Sequence, residues 1–383
     1  MSGTCLRSMK RFAAPLFAIV VFLSFTVRVT ATEAPTASTV NAFYLSAVPT
    51  DYEKMKKLFL SLRNGGANTI ILRPIMEKGR INKTALTNNV FLAHQAGLAI
   101  FVILPTRGME AALAEHPDWE DVRYDPGSGT LQPTGKLDLF NPYAIVYIAD
   151  FFKDIAAYSV DGIFIDKDFY YRDTEGMSPT ALEKYKKKFG SPLNPRRVFA
   201  KIDNDSGAHR IQDYGEGFWN WTGLKRDRLM LLLRNVMQSS RAANKKVKIG
   251  IPLHVPGFTQ VEEQLAWFSY DMDAFKKMNI DLYWIAIPHR ELREQQKLSY
   301  QKSMKALSRT VKSAKNMMGD PSKMVIAIQT TSTSGAVLPI SEIEEAIEMV
   351  KHAEEPGIAF MIDADTMVPA VLTKKTFRER KKG

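Results

Sequence analysis

The stretch Asp161-Gly162-Ile163-Phe164-Ile165-Asp166-Lys167-Asp168-Phe169-Tyr170-Tyr171 decides the fold and points to the chemistry. Its first eight residues read as a β-strand. Strand alternation then puts Phe164, Asp166 and Asp168 on one face and Ile163 and Ile165 on the other. With the isoleucines packed on helices, both aspartates point inward at the C-terminal mouth of a barrel. Like charges a few Å apart raise one pKa, and a carboxyl group kept protonated in this way can serve as a general acid near neutral pH. The alternative is that the aspartates only bind backbone amides or pair with Arg73, at the end of the second strand.

Seven further apolar runs flank this strand: Asn41–Ala47, Thr69–Pro74, Ala99–Leu104, Val247–Leu253, Asp281–Ile287, Met324–Gln329 and Ile358–Asp363. They alternate with amphipathic stretches such as Tyr52–Arg63 and Ala144–Ala157, the pattern of a parallel sheet covered by helices. Gly65-Gly66 and Gly97 read as helix ends. The expected fold is α/β, a single (β/α)8 TIM barrel over residues 38–372. Three connections are long: Arg107–Pro142 and Tyr171–Trp221 after strands three and four, and Val255–Asp271. Loops at strand C-termini build the active face of such barrels. No Gly-x-Gly-x-x-Gly turn follows the first strand, so a dinucleotide site has no support. No repeat or linker marks a second domain.

Other chemistry-bearing residues fall at the same rim. Strand six runs through Trp284 into Pro288-His289-Arg290-Glu291, which makes Glu291 a second candidate acid. Gln329 ends strand seven, and Asp363 and Asp365 end strand eight. Sugars are bound by aromatic faces and hydrogen-bonding side chains. The loops supply His116, Trp119, Tyr124, Tyr170, Tyr171, Trp219, Trp221 and Trp267. Trp119, in a polar loop, is the expected platform, whereas Trp267 reads as core. The six histidines are scattered with no ligand spacing, so neither a metal nor another cofactor is expected.

Composition narrows the class. The formal charge of +11 suggests an anionic partner until it is divided along the chain. Residues 1–31 carry four basic groups and no acid, and Lys374–Gly383 carries six basic groups and Glu379, which leaves +2 for the rest. Nucleic acid is therefore not an expected partner. The basic tail over residues 373–383 allows weak contact with a membrane or an anionic polymer, and the chain reads as a monomer. Arg7, Lys10 and Arg11, an apolar run from Phe12 to Val27 and the small residues before Thr32 read as a secretory signal over residues 1–31. The expected location is the periplasm or the exterior; an uncleaved N-terminal anchor in the inner membrane is the alternative. Cys5, the only cysteine, leaves with the signal, so disulfides and cysteine nucleophiles are excluded from the mature chain.

The motif Asp161–Asp168, followed by Asp173 and Glu175, resembles the signature strand in the C-terminal hydrolase half of bacterial poly-β-1,6-N-acetylglucosamine deacetylases used in biofilm export. Ala266-Trp267-Phe268 with Asp273-Ala-Phe, Ala286-Ile-Pro288 with Glu291, and Ile328-Gln329 extend the resemblance over residues 38–370. It implies a barrel that cuts a partially deacetylated glucosamine polymer, with Asp168 as catalytic carboxylate and Glu291 in the site. The family's His-Asp-Asp is Asp166-Lys167-Asp168 here, and no stretch reads as the metal-dependent deacetylase half. The strand is also similar to the Asp-Gly-x-Asp-x-Asp-x-Glu motif of family-18 chitinases, with Asp168 in the acid's place, Asp166 in that of the acetamide-orienting aspartate and Phe164 replacing an aspartate. That likeness implies a substrate-assisted mechanism.

The expectation is thus an endo-acting glycoside hydrolase with Asp168 as general acid, partnered by Asp166 or Glu291, and with Arg73, His116, Trp119, Tyr170, Tyr171, Trp284, Gln329 and Asp365 binding a polysaccharide. A non-catalytic polysaccharide-binding barrel, or a hydrolase of another glycan, remains the rival.

Overall fold

The computed structural model describes residues 39–77, 80–203, 210–254, 261–295, 297–332, 336–351 and 356–362. Asp363, Asp365, the signal over 1–31 and the tail over 373–383 lie outside them.

Eight parallel strands close into one barrel: β1 (Asn41–Leu45), β2 (Thr69–Leu72), β3 (Ala99–Leu104), β4 (Gly162–Ile165), β5 (Lys248–Leu253), β6 (Leu282–Ile287), β7 (Met324–Gln329) and β8 (Gly357–Ile362). Each strand pairs with its neighbours in sequence, and β8 closes on β1, so the chain is a (β/α)8 barrel. The helices begin where the pattern requires. Asp51 accepts the Lys54 N–H to cap Tyr52–Asn64, which buries Met55, Phe59 and Leu62. Asn141 and Pro142 open Pro142–Ala156, whose buried face packs along the helix Phe218–Ala243.

Side-chain alternation separates two cores. Ile163 and Ile165 face outward onto the helices, while Phe164 faces inward with Ile71, Phe101, Ile103, Leu282 and Val325, beneath Tyr44 and Trp284. Two glycines make room for these inner rings. A Cβ at Gly162 would lie 2.6 Å from the Phe101 ring and one at Gly250 2.3 Å from that of Phe164. The barrel is therefore filled, and chemistry is left to its mouth.

The expected long loops after β3 and β4 carry structure of their own; of the third, Val255–Asp271, residues 255–260 lie outside the described residues and the helix Val261–Phe268 follows. After β3 come the helix Glu110–Glu115 and a hairpin of Glu120–Asp125 with Thr130–Leu137; after β4 come the helix Pro179–Phe189 and a hairpin of Phe199–Asp203 with Arg210–Tyr214. One expectation needs correction. Strand four stops at Ile165 instead of running to Asp168: the Asp166 N–H still bonds Leu104 O at 2.8 Å, but the Phe169 N–H closes a turn onto Asp166 O. The two aspartates therefore leave the strand in different directions.

Candidate active site

Asp166, the last residue to follow the strand parity, reaches across the mouth to Arg73 beyond β2. The pair is bidentate, at 2.6 and 2.8 Å, and Tyr44 on β1 accepts the third guanidinium bond at 3.1 Å. The Lys167 N–H adds a bond to Asp166 Oδ1 at 2.7 Å. Arg73 is thereby fixed at both ends.

Asp168, turned out of the strand, is taken up by the loop after β3. Its Oδ2 accepts the N–H groups of Thr106 at 2.8 Å and Gly108 at 2.6 Å, and its Oδ1 accepts the Thr106 hydroxyl at 3.0 Å. Burial pushes the Asp168 carboxyl above the usual range, and the nearby Asp166 charge adds to this against the three donors. A carboxyl group raised in this way keeps its proton to higher pH than an exposed one, which is the direction a general acid needs.

Between Thr106 and Gly108, Arg107 points the other way, into a fully buried ion cluster. It bonds Asp121 at 2.5 Å, Glu175 at 2.7 Å, Leu137 O at 3.1 Å and Tyr170 O, and lies 3.8 Å over the Tyr171 ring. Lys136 reaches Glu175 at 2.7 Å. Burial alone would raise Glu175, but Arg107 and Lys136 outweigh it and hold the carboxyl down at about 2. Lys225 anchors the same loop from beneath, donating to Arg172 O and Asp173 O; burial pushes it down to about 8. The cluster locks the loops after β3 and β4 together, directly behind the residues that hold Asp168.

Residues 91–360 match the model of the family described as hypothetical glycosyl hydrolase family 13. The chain belongs to that family. Its fold is that of solved glycosidases. The glycoside hydrolase domain of PgaB (BpsB) from Bordetella bronchiseptica aligns with a TM-score of 0.66 at 14% identity, over 85% of this chain and 94% of that one. The catalytic domain of β-amylase from Paenibacillus polymyxa gives 0.60 at 14%, over 91% and 100%, and the β-galactosidase Gan42B from G. stearothermophilus 0.61 at 12%, over 91% and 57%. The first meets the resemblance read from Asp161–Asp168, at the level of the fold. No curated protein matches the chain.

Within this barrel the expected site residues are spread unevenly. Arg73 and Asp166 meet, and Trp284 packs just below them, its ring 6.0 Å from Tyr44 and 5.3 Å from Phe164. Half-buried Tyr170 has Lys136 4.6 Å from its ring. Glu291 stands in the first turn of His289–Gln295, where Gln329 Nε2 donates to it at 3.5 Å. His116 stacks on Trp119 at 3.9 Å, and Tyr147 meets the indole edge-on, so a partner helix and a histidine already cover much of the expected platform.

Several expectations are corrected: Trp267, expected in the core, is exposed, and Tyr124 and Trp221, expected among the sugar-facing loop aromatics, are buried. Tyr171 is wholly buried: its hydroxyl accepts the Leu139 N–H and its ring lies under Arg107, which makes it a post beneath the loop rather than a sugar contact. Gln329 is also buried, with its amide spent on the Arg290 N–H, Thr331 O and Glu291.

Sequence reasoning missed Thr106, Arg107, Gly108 and His254. His254 follows β5 on the inward parity of Gly250, stacked on Phe268 at 4.6 Å and edge-on to Tyr170 at 5.3 Å. Its Nε2 is buried with no hydrogen-bond partner among the described residues, and burial pushes the imidazole down to about 4. Its inward parity on strand five was the available signal. Among the described residues no group of three or more His, Cys, Asp or Glu could hold a metal ion, and no helix is long and apolar enough to cross a membrane.

Proposed function

We propose that this barrel hydrolyses glycosidic bonds within an exported amino-sugar polymer such as partially deacetylated poly-β-1,6-N-acetylglucosamine. The observation that carries the reading is the cradled, half-buried Asp168 carboxyl beside the Arg73–Asp166 pair at the mouth of the barrel. Asp168 protonates the glycosidic oxygen as the bond breaks.

Asp166 is a poor nucleophile, because its carboxylate is clamped by Arg73. Of its four acceptor sites, Arg73 and the Lys167 N–H take three, which leaves one on Oδ2. That site suits the N–H of a substrate acetamide, whose oxygen then attacks the anomeric carbon in place of a protein nucleophile. This route restricts cleavage to bonds on the reducing side of an N-acetylated residue.

Residues 1–31 serve as the export signal in this proposal. The test is mass spectrometry of products after incubating the mature protein, and its Asp168→Asn variant, with the partially deacetylated polymer, with circular dichroism confirming that both are folded. Shorter chains from the native protein alone, each ending in an N-acetylated unit, support the proposal. Intact polymer with both proteins would sink it in favour of a polysaccharide-binding barrel or another glycan, and products ending in free amino sugars would sink the acetamide route.

A further inference from the structure

The donors around Asp168 treat its two oxygens differently. Oδ2 takes two backbone N–H groups, from Thr106 and Gly108, which are fixed in direction by the chain and can only donate. A proton on Oδ2 would face two donors at 2.8 and 2.6 Å, so that oxygen stays an acceptor in both protonation states. Oδ1 has a single neighbour, the Thr106 hydroxyl at 3.0 Å, which can rotate. We infer that Thr106 is a positioning residue for the acid: with Gly108 it confines the transferable proton to Asp168 Oδ1, and its hydroxyl stabilises the carboxylate left behind.

The cradle is built and rigid. Thr106 is completely buried, and Arg107, between the two donors, is fixed at the far side by Asp121 and Glu175. The charged and titratable groups that bear on Asp168 are few. From its own segment they are Asp166, clamped by Arg73, and the exposed Lys167; from the segment after β5, the buried Tyr270 hydroxyl, which bonds Phe169 O. The Arg107 guanidinium points away into its cluster, so from β3 only the neutral Thr106 and Gly108 donors face the carboxyl. Removing one hydroxyl therefore acts on Asp168 without removing a charge.

This inference rests on Asp168 as the acid, so the test reads the carboxyl directly and needs no turnover. Carboxyl carbon resonances of the full chain, labelled at aspartate, are followed against pH in the native protein, Thr106→Val and Thr106→Ser, with Asp168→Asn identifying the signal. Thr106→Val keeps the buried shape and loses the donor, so Asp168 should titrate about one pH unit higher, and Thr106→Ser should restore the native midpoint. Gly108→Ala, at an exposed position, is the second variant: its Cβ would lie 3.2 Å from Oδ2 and should also raise the midpoint. Unchanged midpoints in Thr106→Val and Gly108→Ala overturn the inference. A normal shift in a chain that cuts no polymer leaves the cradle standing and removes the hydrolase reading instead.

Discussion

Replacing Arg107 by Met should be among the most damaging single changes in the barrel, for a reason that can be worked from its contacts. The guanidinium is fully buried with Asp121, also fully buried, and with Glu175, whose side chain is 6% exposed. Methionine fills similar space but leaves Glu175, and Asp121, whose carboxyl burial already pushes up to about 7, without their cation, which costs about 3–5 kcal/mol. Glu175 gives an independent figure. Its carboxyl sits at about 2 against an ordinary 4.5, which corresponds to about 3 kcal/mol of stability at neutral pH. Because the folded-state value is depressed, this contribution is complete above about pH 4.5 and is lost as pH falls toward 2. In Arg107→Met Glu175 keeps Lys136 at 2.7 Å, the Arg172 N–H at 3.2 Å and the buried Lys225 charge but loses its guanidinium, so the acid-side slope should flatten. Urea unfolding between pH 3 and 7 measures both effects, and the midpoint temperature at pH 7 should drop by roughly 6–20 °C. Arg80→Met is the control: the Arg80–Glu115 pair is 80% and 47% exposed, so its loss should cost less than about 1 kcal/mol. Equal stability of the two variants, with superimposable acid slopes, would refute the reasoning.

Three other outcomes are expected. Gly250→Ala drives a Cβ to 2.3 Å from the Phe164 ring and should destabilise by about 1–3 kcal/mol in thermal unfolding, whereas Gly223→Ala, on a helix with nothing within 4 Å, should stabilise by about 0.5–1 kcal/mol. His254, buried and held down at about 4, binds its proton later than it does in the unfolded chain, so stability falls as pH drops from 6.5 to about 4; His254→Phe should lower that slope by up to about 1.4 kcal/mol per pH unit, and an unchanged slope would count against a buried neutral imidazole. On the proposed reaction, Arg73→Met releases Asp166 and should lower kcat/KM on the polymer at least about tenfold while the chain stays folded; undiminished turnover would remove the Arg73–Asp166 pair from the mechanism.

The candidate site was legible only in part. Asp166 and Asp168 stood out because two acids close an otherwise apolar strand, and Arg73 because it ends the second. Alternation alone placed both aspartates inward. The turn that the Phe169 N–H makes onto Asp166 O diverts Asp168 to the loop after β3, and no period-2 argument contains it. Tyr171 and Gln329 looked like rim residues by position in the chain, but loop packing buried both.

What the sequence by itself determined is the local part: eight strands, their order, and which residues face the sheet's two sides, because each depends on the side-chain alternation of one segment. The tertiary structure decided the partners. Arg73 meets Asp166 across 93 positions, Thr106 meets Asp168 across 62, and Arg107 meets Glu175 across 68. Such pairings carry no periodic signal; barrel closure brings the strand ends together, and burial then requires each polar group among them to find a donor or a counter-charge.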